Sequence, residues 1–480
     1  MHRHVQNHAT LMVALFLFFA SAQAVGQSTW SDPFGTRENT AAEPHLRWET
    51  TLPLPTVSLP QATGELARNQ PLSLPELTEF ALRNNPRTRQ SWLAARAAAA
   101  GVGIEKADRL PQVTANYAMS RTQQVTNQGA VVPWQTRYGP SISLSYLLYD
   151  FGVREFQIEA SEYRLLAANL AHNRVLQDVV FGVEQAYYRL IGNDALVRVN
   201  AQSLKNAETA LEAVGKRRES GLATVADVYR AETLVAQARL NLTRSTGELE
   251  KSRGQLASVV GLPVNVGIAV RPLEAPPQTT EISASIGDLL ARAKASRPDL
   301  VAAEAQVRAS QASAKAAARA GLPSIEVVGG SGRTSFGDNR PSANSYNIGL
   351  AIRIPIFTGF RETYSARQAQ VHAEAAEASR DTLLRQAEVE VWQGYYDLST
   401  VNSSISSTEA QVRSAEQTAQ ATLARYQSGF GSILDLITAQ QDESNARVQR
   451  VQSYLDWFTT LARLQVAVGA SDLIKAGGAK

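Results

Sequence analysis

The stretch from Ser141 to Glu155 reads SISLSYLLYDFGVRE. Ile142, Leu144, Tyr146 and Leu148 alternate with Ser141, Ser143, Ser145 and Leu147, the two-residue period of a β-strand with one greasy and one mostly small, polar face. YNIGLAIRI does the same, with Tyr346, Ile348, Leu350, Ile352 and Ile354 set against Asn347, Gly349, Ala351 and Arg353. VTANYAMS and SIEVVGGSG are weaker versions, so the chain offers four such strands. The pattern fits an amphipathic sheet on a soluble core. It also fits a membrane barrel, apolar toward lipid and polar toward a water-filled lumen, with aromatics at the rims. Tyr117, Tyr138, Tyr146, Tyr149, Tyr346 and Phe357 suit such rims. A sheet in a bilayer must close, because an open edge leaves backbone groups unpaired in hydrocarbon. The smallest single-chain barrels use about eight strands. Four strands therefore predict a barrel shared between chains, with the polar loops TQQVTNQGAVVPWQT and SGRTSFGDNRPSANS outside.

The beginning of the chain favours the membrane reading. LMVALFLFFASA (Leu11 to Ala22) is an apolar core of leader length, followed by the small-x-small site Ala22-Gln23-Ala24. About 12 apolar residues are too few to span a bilayer. Residues 1–24 are thus expected to be a cleaved signal peptide, and no later run approaches the ~18 apolar residues of a membrane helix. Cysteine is absent, which removes disulfides, thiolate metal sites and a cysteine nucleophile. Of six histidines, His2, His4 and His8 leave with the leader, while His45, His172 and His372 stand alone. A net charge of +3 gives no nucleic-acid footprint. Neither a catalytic residue, a metal ligand set nor a cofactor is expected.

An internal repeat organises the rest. LSLPELTEFALRNNP (Leu72 to Pro86) is echoed by ASIGDLLARAKASRP (Ala284 to Pro298), so Pro86 and Pro298 lie 212 apart, as do Pro111 and Pro323. Beyond the strands the offset becomes 208, for Tyr187-Tyr188 with Tyr395-Tyr396, Gly221 with Gly429, Asp227 with Asp435, and Gly261 with Gly469. Each copy runs from an Ala-rich helical segment (Leu74 to Arg109, Ile286 to Ala320) through two strands into a very long helix and a return helix. The predicted layout is an extended arm over 25–70, a first repeat over 71–272, a linker at 273–283, a second repeat over 284–470 and a tail at 471–480. Strands are predicted near 113–125, 138–150, 324–336 and 345–357. The helices follow at 153–220 and 222–260, then 360–428 and 432–468. At 1.5 Å per residue the longest helices would reach roughly 100 Å, so they need side-by-side partners in a bundle or tube.

A duplicated unit of helix, strand pair, long helix and return helix behind a leader resembles the outer-membrane efflux protein (TolC-like) family, over roughly Leu72 to Ala470. The most specific residues are the paired helix breaks. Arg217, Gly221, Thr224, Asp227, Val228, Ala231 and Glu232 answer Arg425, Gly429, Ser432, Asp435, Leu436, Ala439 and Gln440. The resemblance implies a mostly α fold with a transmembrane β-barrel: a homotrimer whose chains jointly form a 12-stranded outer-membrane barrel, continued by a periplasmic α-helical tube. It implies outer-membrane lipid, a periplasmic adaptor protein and an inner-membrane transporter as partners, in a tripartite efflux pump or alternatively a type I secretion system. By the same likeness Arg217, Gly221, Thr224, Arg425, Gly429 and Ser432 mark hairpin tips for adaptor docking. Asp435 would form a cation-attracting ring at the periplasmic entrance, and Tyr426 would hydrogen-bond Asp227 as a gate latch. Better-known members carry an arginine at the position of Gly431 and a second acid at that of Thr438, which leaves the gating here open. The residues alone allow a plainer account of the tips. Gly permits φ > 0, Thr224 or Ser432 caps the next helix, and an acid in the first turn meets the helix dipole.

Two competing readings have sequence handles. Asp150-Phe151-Gly152 matches the magnesium-binding tripeptide of protein kinases, but the glycine-rich loop, V-A-I-K lysine and H-R-D loop are missing. GGSGRTSFG leads toward a strand instead of a helix, so it lacks phosphate-cradling geometry. A periplasmic coiled-coil adaptor or scaffold would explain the helices and leave the four strands without a purpose. The companion of DFG is Gly359-Phe360-Arg361, answering Gly152-Val153-Arg154, which makes Gly152 and Gly359 the expected joints between barrel and tube.

Overall fold

The computed structural model describes residues 71–125, 127, 129–271, 285–337 and 340–469. The expected leader, arm, linker and tail (1–24, 25–70, 273–283, 471–480) lie outside the described residues. The chain runs α1 (Leu74–Asn84), α2 (Pro86–Ala107), β1 (Gln112–Thr122), β2 (Gln135–Tyr149), α3 (Val153–Glu219) and α4 (Val225–Val260). It continues α5 (Ile286–Ser296), α6 (Pro298–Arg319), β3 (Ser324–Phe336), β4 (Ala343–Arg353), α7 (Arg361–Gln427) and α8 (Ile433–Val468). Helix lengths match in the two halves: 11, 22, 67 and 36 residues in each.

The Ala-rich segments expected as single helices are each two helices, parted at Asn85 and Arg297. Pro86 and Pro298 are the cause. A residue before proline is pushed out of the α region, and Asn85 and Arg297 sit at ψ 127° and 118°. Each proline then opens the next helix, where its missing N–H is not needed. The breaks are pinned alike. Asn85 Nδ2 donates to the Val259 carbonyl at 2.8 Å, and Arg297 Nη1 to the Ala467 carbonyl at 3.3 Å.

The short helices seal the apolar cores. Leu77 and Ala81 are buried with Val183, Leu190, Leu256 and Val260. Leu289 and Ala293 are buried with Val391, Leu398, Leu464 and Val468. Each residue of the first set has its counterpart in the second at the repeat offset. A fully buried leucine contributes ~1.5–3 kcal/mol, so these clusters hold the long helices in register. The halves interlock as well: α6 packs on α3 and α7, and α8 on α7 and α3. Small residues permit this closeness, with Ala305, Ala309, Ala312 and Ala316 buried on α6.

The four strands form one antiparallel sheet in the order β1-β2-β3-β4. The pairs Val113↔Leu144, Tyr146↔Val327 and Val327↔Leu350 share a face, and Thr114↔Ser143, Ser143↔Gly330 and Gly330↔Asn347 share the other. The outer strands β1 and β4 are exposed along all 11 residues of each, with Ile348 83% exposed. β4 stops at Arg353, short of the expected 357, because Pro355 has no N–H for the ladder. Among the described residues no helix is long and apolar enough to cross a membrane.

Among the described residues Arg297 is the largest fully buried side chain, 1% exposed, where the first repeat has Asn85. It forms a two-pronged pair with Asp299 (3.0 and 2.7 Å) and a bond to Glu390 (2.7 Å). Burial works against the Asp299 charge, yet the Arg297 guanidinium holds its carboxyl below the usual range. Arg297→Asn should keep the carbonyl bond and leave Asp299 with Arg174, 3.7 Å away, as its charged partner and Glu390 with the Gln386 amide. The expected loss is about 3 kcal/mol in the unfolding midpoint of detergent-purified protein, the low end for a broken buried pair because both acids keep some solvent. The stabilisation from a depressed carboxyl is present above its unfolded value and fades as pH falls through the lower folded one. The deficit of the variant should therefore shrink below about pH 3.8, the ordinary value of Asp299.

Candidate functional site

The two helix breaks have one construction. At the end of α3, Gly221 turns at φ 70°, its N–H reaching the Arg218 carbonyl at 2.9 Å and the Leu222 N–H the Arg217 carbonyl at 2.8 Å. At the end of α7, Gly429 turns at φ 95°, its N–H reaching Tyr426 at 3.1 Å and that of Phe430 reaching Arg425 at 3.0 Å. These paired bonds satisfy the last carbonyls of each helix, and glycine takes the left-handed turn without strain. The apolar residue after each glycine, Leu222 or Phe430, is left facing solvent. Thr224 and Ser432 then cap α4 and α8, accepting from the N–H of Asp227 at 3.2 Å and of Asp435 at 3.1 Å.

Here the two acids part. The Asp227 carboxylate closes a capping box, accepting from the Thr224 N–H at 2.9 Å and its hydroxyl at 2.8 Å, with Arg230 at 3.5 Å. Those two donors hold its carboxyl below the usual range. The Asp435 carboxylate is exposed and has no hydrogen bond or ion pair among the described residues. One acid is spent on its helix; the other is open to solvent.

Tyr426 lies buried among Ala210, Val214, Ala231, Ile433 and Leu436, and burial pushes its phenol up. The expected Tyr426–Asp227 hydrogen bond is not formed within the chain. Asp227 is committed to its cap, and Arg217 supplies the link between the two hairpins instead. Its guanidinium lies 4.6 Å from the Tyr426 ring centroid and donates from Nη1 to the Tyr426 carbonyl at 2.7 Å. Arg217, expected on the docking surface, is thus turned inward, while its counterpart Arg425 is exposed without a side-chain partner among the described residues. The sequence marked Arg217 as part of a motif but carried no signal for this role, since Tyr426 has Arg218 as its repeat counterpart. Gly431 is held close: a Cβ there would stand 3.1 Å from the Tyr426 nitrogen. Thr438 is exposed on α8.

At the opposite end of α3 and α7 the sheet hands over to the helices. Phe151 and Gly152 both have positive φ (56° and 85°), as do Gly359 and Phe360 (67° and 62°). Two left-handed residues in succession redirect each strand exit. By these angles the joints correspond at an offset of 208, with Gly152 opposite Phe360 and Gly359 opposite Phe151. The pairing of Gly152 with Gly359 is one residue out, because each joint places glycine at a different member of the pair. A phenylalanine there is strained, and each ring rests on an aromatic neighbour, Tyr149 at 4.8 Å or Phe357 at 5.5 Å. Asp150 accepts from the N–H groups of Gly152 at 3.1 Å and Arg154 at 2.8 Å, and Arg154 Nη1 donates to the Leu147 and Asp108 carbonyls. Asp150-Phe151-Gly152 is a helix cap and a strand clasp. Among the described residues no group of three or more acidic or histidine side chains is placed to hold a metal.

A family model described as "Outer membrane efflux protein" matches residues 77–262 and 289–470, the two repeats. The chain belongs to that family. It is an outer-membrane efflux protein. Protein CyaE of Bordetella pertussis is 26% identical over 402 residues, covering 83% of this chain and 84% of its own. Outer membrane protein OprJ of Pseudomonas aeruginosa is 27% identical over 376 residues, covering 77% and 78%. The CmeC outer membrane channel of Campylobacter jejuni shares the fold, with a TM-score of 0.76 at 18% identity, covering 88% of this chain and 94% of its own.

The tip geometry separates two arginines that the motif treats as equals. Arg217→Ala removes a cation–π contact and a charge-assisted bond, together about 2 kcal/mol, or roughly thirtyfold in local opening. Amide exchange in 210–217 and 426–436 should speed up by that factor, measured by mass spectrometry. Arg425→Ala should leave it unchanged.

Proposed function

We propose that three copies of this chain close a 12-stranded barrel and form the exit duct of a tripartite efflux pump. Substrates delivered by an inner-membrane transporter and a periplasmic adaptor pass through it passively. The observation that carries the reading is the open sheet. β1 and β4 are edges with one apolar face, and in hydrocarbon each unpaired backbone group costs several kcal/mol. Pairing β1 of one copy with β4 of the next satisfies both. The expected result is heat-modifiable trimer migration of protein extracted from the outer-membrane fraction. Recovery as a soluble periplasmic monomer would sink the reading.

In that assembly the hairpin tips form the periplasmic entrance, and Gly221, Thr224, Arg425, Gly429 and Ser432, with exposed Leu222 and Phe430, face the adaptor. The free Asp435 carboxylates of three chains would ring the opening and attract cations, a role that Asp227, held in its cap, does not share. Asp435→Ala should relieve block of single-channel current by divalent cations at least tenfold, while Asp227→Ala should leave the block in place. Unchanged block in Asp435→Ala would refute the ring.

A further inference from the structure

The outer ends of the strands carry a charge pattern that conduction does not use. The face bearing Val113, Tyr117 and Met119 on β1 ends at Arg121, and the face bearing Ile325 and Val327 on β3 ends at Arg333. The unbroken registers Gln112↔Ser145 to Thr122↔Gln135 and Ser324↔Arg353 to Thr334↔Ala343 keep both arginines on the apolar side of the sheet. They are repeat counterparts, 212 apart like Pro111 and Pro323, in Ser120-Arg121-Thr122 and Gly332-Arg333-Thr334.

Height decides what they meet. Arg121 lies eight residues above Val113, and Arg333 eight above Ile325. At ~3.3 Å per residue and a tilt of ~40° that climb is roughly 20 Å, close to the top of an apolar band about 25 Å tall. A lipid-facing arginine is costly at mid-bilayer and tolerated at the boundary, where the guanidinium reaches head groups. The helices leave from the other end of the strands, toward the periplasm, so this boundary belongs to the outer leaflet. Charge balance fits an anionic neighbour. Residues 112–149 contain no Asp or Glu, and 324–353 contain only Glu326, bonded to Ser145 on the opposite face, and Asp338. Among the described residues neither guanidinium has an acidic partner: Arg121 lies over Trp134 at 5.5 Å, and Arg333 donates to the Ser342 hydroxyl at 2.9 Å. Trp134 is itself exposed, an amphipathic ring of the kind that settles at a membrane interface.

We propose that Arg121 and Arg333 form a duplicated site for the phosphate groups of the phosphorylated glycolipid of the outer leaflet, gripping the barrel in its membrane. Guanidinium forks match phosphate oxygens in pairs, which a lysine does less well. The site is independent of cargo and of periplasmic partners.

The test is native mass spectrometry of the full-length protein in detergent, titrated with bis-phosphorylated lipid A and with the same lipid stripped of both phosphates. The wild type should favour the phosphorylated form at least tenfold, Arg121→Gln/Arg333→Gln should lose that preference, and Arg121→Lys/Arg333→Lys should keep part of it. No preference in the wild type, or full preference in the double Gln variant, would overturn the proposal. Complete displacement of the lipid by millimolar inorganic phosphate would overturn it too, in favour of a free-phosphate site. In bilayers lacking the phosphorylated lipid the double Gln variant should conduct like the wild type. Lost conductance there would show that the arginines serve the barrel itself, so failure of the duct and failure of the lipid site read differently.

Discussion

Everything at the membrane end depends on the two bare edges of the sheet. Among the described residues β1 and β4 each present 11 residues of backbone with no partner on the outer side. In water such edges would be satisfied by solvent; in hydrocarbon each unpaired group costs several kcal/mol. A handful of them exceeds the ~5–15 kcal/mol by which a folded domain is stable. The strands therefore have no stable state in a bilayer as a lone chain. In the proposed assembly insertion and closure of the barrel would be one event, and the helices would hold the sheet together until then. The cap and clasp at Asp150 and Arg154, and the interlocked α3, α6, α7 and α8, are the parts available for that.

Duplication makes the divergences informative. The apolar cores share their main positions, from Leu77 with Leu289 to Val260 with Val468. Where the copies differ, a side chain has taken a task that its counterpart lacks. Asn85 is a plain cap, while Arg297 anchors a buried charge cluster. Asp227 is consumed by its helix, while Asp435 is available to solvent. Arg217 crosses to the other hairpin, while Arg425 points away. A three-fold assembly of such chains would be pseudo-six-fold in its scaffold and three-fold in its chemistry.

Much of this was legible in the sequence because it depends on short periods and on glycine and proline. Strand alternation located the sheet, the offset of 208 aligned the tips, and prolines marked the first helices, though not that each proline splits one helix into two. Side-chain partnerships were less legible. Along helices of 67 and 36 residues rich in Ala the apolar stripe is faint, so the phase that turns Arg217 inward and leaves Asp435 outward is not written in the letters. Within the chain Tyr426 and Asp227 form no hydrogen bond, because a capping box has already claimed the acid, which the family likeness does not reveal. At the joints a one-residue error arose because glycine was taken as the marker of the turn, whereas the backbone there uses two left-handed residues and fills one with phenylalanine.

The equal lengths of the paired helices act as a gauge. Both long helices count 67 residues and both return helices 36, so the tips of each chain end level. Removing one residue from α3 alone would shorten it by 1.5 Å and rotate everything below by about 100°. Arg217 would then face away from Tyr426, and the Schellman turns would no longer align. Hairpins of a different length can be reached only by matched changes at one depth in all four helices, close to whole turns. The length of these helical hairpins is thus a quantised property of the sequence.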